Sequence, residues 1–87
     1  MYTIRITKNF VKRISKLSTK DQQAIKLKLE NLAKDPFSSP NCKKLKGYKN
    51  VYRMRHSNYR IIYEIKSSEL IIIVINIGHR REIYADY

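Results

Sequence analysis

The chain has 87 residues, of which 43% are hydrophobic and only two are Gly and two Pro, so a disordered tail is excluded and one globular domain over residues 1–87 is expected. Lys and Arg number 19 against 7 Asp and Glu, and this formal net charge of +12 predicts an anionic partner: nucleic acid, anionic lipid or an acidic protein. The longest apolar run, Leu70 to Ile75, is far too short for a membrane helix, so we expect a cytoplasmic protein without a membrane partner.

The first half of the chain begins with the alternation of a strand and then changes to helical spacing. The apolar positions of the strand are Tyr2, Ile4 and Ile6. A short amphipathic helix follows, with the apolar residues Phe10, Ile14 and Leu17. A second helix should begin at Thr19, with Gln22 completing the cap, and should end at Asp35-Pro36. Its buried residues are predicted to be Ile25, Leu29 and Leu32.

The second half of the chain predicts a loop followed by three strands. Turn-forming residues and lysines fill residues 37–50, which we interpret as the loop. Two strands at residues 51–56 and 59–65 should be joined by a two-residue turn at Ser57-Asn58, because Asn tolerates a positive φ. Residues 70–77 are apolar on both faces, as in a strand at the centre of a sheet. The change from helical to alternating spacing indicates an α+β fold.

The predicted turn determines which residues of the hairpin share a face. Antiparallel pairing around Ser57-Asn58 places Arg53, Arg55 and Arg60 on one face and His56 on the core face, so we interpret His56 as structural. Like charges directly opposed on a sheet cost up to about 1 kcal/mol, which is easier to understand if a phosphate binds between them. The alternative interpretation is a solvated basic face.

A second basic and aromatic cluster follows Gly78. Its candidate functional members are His79, Arg80, Arg81 and Tyr84. These residue types suit RNA cleavage by the RNA's own 2′-hydroxyl, because arginine stabilises transition-state charge, tyrosine stacks on a base and histidine exchanges protons near neutral pH. Taken singly, a histidine here is more often a surface residue and a tyrosine more often a core residue, but their crowding with arginine favours the functional interpretation.

No metal or cofactor site is indicated by the sequence. Cys42 is the only cysteine, so it cannot form an internal disulfide, and its neighbours do not provide a metal-ligand spacing. A glycine-rich phosphate loop, paired carboxylates and a Ser/His/Asp arrangement are all absent from the sequence. We therefore expect a reduced thiol without a catalytic role, and a protein without cofactors.

Four segments of the chain resemble the successive signatures of RelE-type toxins in the RelE/ParE superfamily. They are Leu45-Lys46-Gly47, Tyr52 to Arg55, Asn58 to Tyr63 and Gly78 to Tyr84. With the two helices, the resemblance covers essentially the whole chain, and the combined string is far more specific than any one segment. It implies a small antiparallel sheet of about four strands with two N-terminal helices packed on one side.

The resemblance also implies a function. A RelE-type toxin of a type II toxin-antitoxin system is a metal-independent endoribonuclease that cuts mRNA in the ribosomal A site and is neutralised by an acidic, RelB-like antitoxin. Carried over by position, the catalytic residues are Arg60, Arg80, Tyr84 and His79, and the RNA-binding residues are Arg53, Arg55, Lys46 and Arg81. Because arginine is a poor proton acceptor at neutral pH, His79 is the candidate general acid or base.

Two other functions remain open at this point. A ParE-like toxin shares the fold and poisons DNA gyrase by binding, without catalytic residues. A non-catalytic RNA-binding module would use the same basic face to hold phosphates. The residues after Gly78 favour RNA cleavage, because a gyrase-binding protein has no need of Arg60, Arg80 and Tyr84 together.

Overall fold

The computed structural model describes residues 1–38 and 42–83 and confirms the α+β fold class. In chain order the elements are β1 (Thr3–Ile6), α1 (Lys8–Ile14), α2 (Thr19–Lys34), β2 (Cys42–Lys44), β3 (Val51–His56), β4 (Tyr59–Lys66), a 3-10 turn (Ser67–Glu69) and β5 (Ile71–His79). The strand order across the sheet is β1-β5-β4-β3-β2. β5 therefore lies inside the sheet between β1 and β4, as its apolar residues predict.

Among the described residues, the sheet has five strands instead of about four, and it is mixed instead of wholly antiparallel. The additional strand is β2, which pairs antiparallel with β3 and lies within the predicted loop at residues 37–50. β1 pairs in parallel with β5, from Thr3 opposite Ile71 to Ile6 opposite Val74. A strand of three residues, two of them lysines, is too short to show alternation, and the partner of β1 lies at the far end of the sequence.

The second helix begins at Thr19 as predicted, but its N-cap lies one residue earlier than predicted. Ser18, and not Thr19, is the N-cap, and its hydroxyl accepts a hydrogen bond from the backbone N–H of Asp21 (3.1 Å). Gln22 does reach back, but its Nε2 donates to the carbonyl of Leu17 (3.0 Å), a residue that lies beyond the end of α1.

Within the described part of the chain, no helix is long and apolar enough to cross a membrane.

The core lies between the two helices and one face of the sheet. The helices contribute the buried residues Phe10, Ile25, Leu29 and Leu32. The strands contribute Met54, Ile61, Tyr63, Ile65, Ile72, Val74 and Ile77. The other face of the sheet is thereby left for residues that alternate with these along β3 and β4.

A β-bulge in β5 changes the face of the sheet to which the last residues of this strand point. Two successive residues of β4, Ile62 and Tyr63, pair with Asn76 and Val74, so Ile75 is an extra residue in β5. The side chain of Asn76 is 2% exposed and accepts a hydrogen bond from the next backbone N–H along the chain (2.9 Å). A shift of one residue exchanges the two faces of a strand. The residues of β5 after the bulge therefore point to the face opposite to the one that uninterrupted alternation would give them.

Candidate nucleic-acid interface

The predicted arginine cluster lies on one face of the β3–β4 hairpin. Arg55 pairs with Arg60 across the two strands, which is the register expected from a turn at Ser57-Asn58. Arg53 lies two residues before Arg55 and so points the same way. The residues that alternate with these arginines belong to the core, so the arginines lie on the side of the sheet away from the helices. We call the surface formed by Arg53, Arg55 and Arg60 the arginine face.

The guanidinium of Arg60 is held by the hairpin turn. Its Nη1 donates to the carbonyls of Ser57 (3.1 Å) and Tyr59 (2.8 Å), and only 9% of the residue is exposed. Ser57, and not Asn58 as predicted, takes the left-handed conformation, with φ 52°. Arg55, directly opposite, is exposed. The carbonyl dipoles of the turn therefore offset part of the repulsion between these two cations.

Arg80 lies beside the same hairpin turn. Its backbone N–H donates to the carbonyl of Asn58 (2.7 Å), which brings the chain after β5 against the turn. Further along, Ile83 is fully buried, and its Cδ1 lies 3.1 Å from the position that a Cβ on Gly78 would occupy. Gly78 therefore allows this segment to pack against the end of β5. Arg80 and Arg81 are both exposed.

His79 faces the opposite side of the sheet from the arginine face. It pairs with Tyr59 between β4 and β5, and the two rings meet edge to face with centroids 6.3 Å apart. Both line a cleft of about 440 Å³ together with Arg13 and Lys16 on the α1 side. The backbone N–H of Arg81 lies 3.3 Å from His79 Nδ1, so a neutral ring carries its proton on Nε2. His79 therefore does not lie on the arginine face.

Lys46 lies at the other end of β3 in a basic loop. The loop forms a shallow basin of about 500 Å³ that is lined by Lys44, Leu45, Lys46, Gly47, Tyr48 and Lys49. Positive φ angles at Gly47 (81°) and Asn50 (64°) turn the chain before it enters β3. Val51 and Arg55 lie roughly 13 Å apart along β3 at the usual rise of a strand, so Lys46 and the arginine pair do not form one pocket.

Sequence reasoning missed a polar cluster on the helix side of the hairpin. His56 is 9% exposed and faces the core side as predicted; its Nε2 is 3.0 Å from Asp21 Oδ1 and its Nδ1 is 2.9 Å from Lys28 Nζ. The hydrogen bond from His56, and next that from Ser18, lower the pKa of the Asp21 carboxyl below its usual 3.8. The available signal is the spacing of Asp21 and Lys28, two helical turns apart on the face of α2 that contains Ile25.

The described residues therefore bring some of the predicted site together and separate the rest. Arg53, Arg55 and Arg60 share one face and the backbone of Arg80 lies beside the turn at its end, whereas His79 lies on the opposite side of the sheet. Tyr84 lies outside the described residues. Arg55 and Arg60 are paired at the hairpin end of the sheet, and the guanidinium of Arg60 is already fixed by backbone carbonyls, which suits this pair to binding phosphate.

Comparison with known proteins identifies the class to which this fold and interface belong. A family model described as the ParE toxin of the type II toxin-antitoxin system parDE matches residues 4–84. The toxin RelE3 of Methanocaldococcus jannaschii is 34% identical over 97% of this chain and 96% of its own length. The mRNA interferase toxin RelE of Escherichia coli K12 is 27% identical over 98% of this chain and 92% of its own.

A solved structure agrees with these sequence matches. A chain of the RelB-RelE antitoxin-toxin complex from Methanococcus jannaschii matches with a TM-score of 0.78 at 32% identity, covering 95% of this chain and 98% of that chain. The fold and the sequence together define a toxin of a type II toxin-antitoxin system. The chain belongs to the RelE/ParE toxin family, as the resemblance of its four segments predicts.

Proposed function

We propose that this toxin is an endoribonuclease that cuts mRNA by attack of a 2′-hydroxyl on the adjacent phosphodiester. The observation that carries the proposal is the hairpin turn, whose carbonyls hold the guanidinium of Arg60 and the backbone of Arg80 at one end of the arginine face. A guanidinium fixed in advance loses little freedom on binding phosphate and matches its oxygens in a fork geometry. The E. coli K12 relative is named an mRNA interferase toxin, which supports the same activity.

The reaction needs two proton transfers and stabilisation of charge. The 2′-oxygen bonds to phosphorus while the bond to the 5′-oxygen of the next nucleotide breaks, which leaves a 2′,3′-cyclic phosphate and a 5′-hydroxyl. One proton leaves the 2′-hydroxyl and one reaches the 5′-oxygen. Arg60 and Arg80 offset the negative charge that builds up on the phosphate oxygens. Since these positive charges come from the protein, the proposal assigns no step to a metal ion.

His79 is our candidate for one of the proton transfers, as general acid or base. Because His79 and Arg60 lie on opposite sides of one end of the sheet, this role requires the RNA to pass around the hairpin turn. His79→Gln tests the assignment: cleavage at the wild-type rate in this variant would show that another group moves the proton.

The remaining predicted residues are proposed to bind and orient the RNA. Lys46, Arg53, Arg55 and Arg81 would contact phosphates, and Tyr84 would stack on a base. The basic loop and the hairpin turn mark the two ends of β3, so the strand of RNA would run along the arginine face between them. Substituting Lys46 with Ala should weaken RNA binding and reduce its salt dependence by about one phosphate contact.

We further propose that cleavage takes place in the ribosomal A site and that an acidic, RelB-like antitoxin neutralises the toxin in the cytoplasm. The related toxin of M. jannaschii has been crystallised with antitoxin RelB. A net charge of +12 favours fast association with the ribosome and with an acidic protein. Co-purification at high salt tests the antitoxin contact, since a complex held by charge alone should dissociate there.

A gyrase poison is the second candidate, because the matching family model bears the name of the ParE toxins. Mapping RNA ends in cells after brief expression separates the two functions. Cuts inside translated reading frames that disappear with Arg60→Ala would support the nuclease. Intact RNA with arrested DNA replication would support the gyrase poison, and RNA bound without cuts would support a binding module.

A further inference from the structure

We propose that His56 is a positioning residue that fixes the hairpin turn, and through it Arg60 and Arg80, from the helix side of the sheet. The proposal rests on the RNA cleavage proposed above. It assigns a role to the cluster of Asp21, His56 and Lys28, which we call the histidine clip.

The two contacts of His56 determine where its proton lies. The ammonium group of Lys28 has only donors, so at 2.9 Å it donates to His56 Nδ1, which accepts. The proton of the neutral ring is therefore on Nε2, which donates to Asp21 Oδ1 at 3.0 Å. Both ring nitrogens are used, and neither the other tautomer nor a flipped ring retains both hydrogen bonds.

The histidine clip also restrains the backbone next to the hairpin turn. Lys28 Nζ lies 3.4 Å from the carbonyl oxygen of Arg55, so α2 contacts the side chain of His56 and the peptide group just before it. The next residue, Ser57, has a φ of 52°, which is unfavourable for a residue other than glycine. A conformation of this kind persists when its surroundings hold it. The clip provides such a restraint one residue away.

On the other side of the sheet, the same turn holds the proposed catalytic groups. Three consecutive carbonyls act as acceptors: those of Ser57 and Tyr59 bind Arg60 Nη1, and that of Asn58 binds the backbone N–H of Arg80. A rotation of the peptide groups in the turn would therefore move both arginines. Because a displacement of about 1 Å can reduce a reaction rate about 100-fold, a restraint on the turn is a restraint on catalysis.

The test compares His56→Leu with His56→Gln. Leucine occupies the buried space but removes both hydrogen bonds, whereas glutamine retains one acceptor and one donor. Removal of one member of a hydrogen-bonded network costs stability, so the rates are compared per folded molecule. We expect His56→Leu to lower the maximal cleavage rate per folded molecule about 10- to 100-fold with little change in KM, and His56→Gln to recover part of the rate.

Two lysines of α2 provide a matched control. Lys28→Met removes a member of the histidine clip, and Lys26→Met removes the same charge from an exposed position on the same helix. We expect a lower maximal rate for Lys28→Met and the wild-type rate for Lys26→Met. Equal rates in the two variants, or a loss of rate in proportion to a loss of folded protein, would overturn the positioning role.

A second measurement does not depend on RNA cleavage. Exchange of the Arg60 guanidinium protons with water, followed by NMR, reports whether the side chain stays bonded to the turn, and we expect faster exchange in His56→Leu. If the wild-type protein cuts no RNA but exchange increases, the proposed function is wrong while the positioning role stands. If the wild-type protein cuts RNA and neither the rate nor the exchange responds to His56→Leu, the positioning role is wrong.

Discussion

Arg60 is a nearly buried cation in a protein that already carries a net charge of +12. Its burial is possible because two carbonyl oxygens of the hairpin turn accept from Nη1, and hydrogen bonds to a charged group contribute about 1.5–3 kcal/mol each. The side chain loses its rotamer freedom when the protein folds and not when a ligand binds. A phosphate that reaches Arg60 therefore meets a donor that is already in place.

Tyr63 is the opposite case, a buried polar group whose hydroxyl has no hydrogen-bond partner by geometry among residues 1–38 and 42–83. Its ring stacks on Tyr52 with centroids 5.9 Å apart, and its hydroxyl has no partner within the described residues. Burial, followed by the nearby Cys42, raises the pKa of Tyr63 far above that of a free phenol. We expect Tyr63→Phe to leave the free energy of unfolding unchanged or to raise it by up to about 1 kcal/mol, because an unbonded buried hydroxyl is unfavourable. Urea unfolding measures the change, and a loss above about 1 kcal/mol would show that the hydroxyl has a partner.

At the scale of the elements, the sequence predicts local structure better than long-range pairing. Every pair of the β3–β4 hairpin has the expected register, because a two-residue turn fixes the pairing of the strands on either side. β2 was missed because Cys42–Lys44 becomes a strand only through its pairing with β3. The N-cap of α2 differs from the predicted residue by one position because Ser18 and Thr19 both have side chains that cap helices.

The sequence could not predict on which side of the sheet His79 lies, and the reason is the residue pattern of β5. Residues 71–75 are all apolar, so the sequence pattern does not show which of them face the helices, and it gives no sign of the bulge at Ile75. Arg60 is free of this ambiguity, because the nearby turn fixes its register. His79 is the neighbour of Arg80 in the sequence, but it does not lie on the arginine face.

Packing of the segment after β5 depends on Gly78. A Cβ at this position would lie 3.1 Å from Ile83 Cδ1 and 3.3 Å from Arg13 Nη1, which is tighter than ordinary contact. We expect Gly78→Ala to destabilise the fold by about 1–3 kcal/mol. Ile83→Val removes Cδ1 and should recover part of this loss in the double variant, which a double-mutant cycle of unfolding free energies measures. Additive effects would contradict the close contact.

The pKa of Asp21 predicts how the histidine clip responds to acid. Because this pKa is lower in the folded protein than its usual 3.8, the charged carboxylate stabilises the folded state above about pH 4, and this contribution is lost as the pH falls through the lower, folded value. Wild type should therefore exceed Asp21→Asn in stability at pH 6, with the difference shrinking as the pH falls below about 4. Unfolding midpoints for both variants measure it; a difference independent of pH would show that the charge is not involved.

At the scale of the whole molecule, the proposed site lies where the hairpin turn, the end of β5 and the histidine clip meet. One face of the sheet is committed to the core under α1 and α2, and the other presents the arginine face. The family match establishes the class of toxin. The choice between RNA cleavage and gyrase binding depends on the side chains at this one end of the sheet, because the fold supports both.

The most direct test of this account is Arg80→Ala, with RNA cleavage and RNA binding measured side by side on the same RNA. Alanine keeps the backbone N–H that donates to Asn58, so the substitution removes the guanidinium and leaves the turn intact. We predict that cleavage falls by about 100-fold or more, while binding weakens only as expected for one phosphate contact. Unchanged cleavage, or binding and cleavage lost to the same extent, would contradict a catalytic role for the arginines at the hairpin turn.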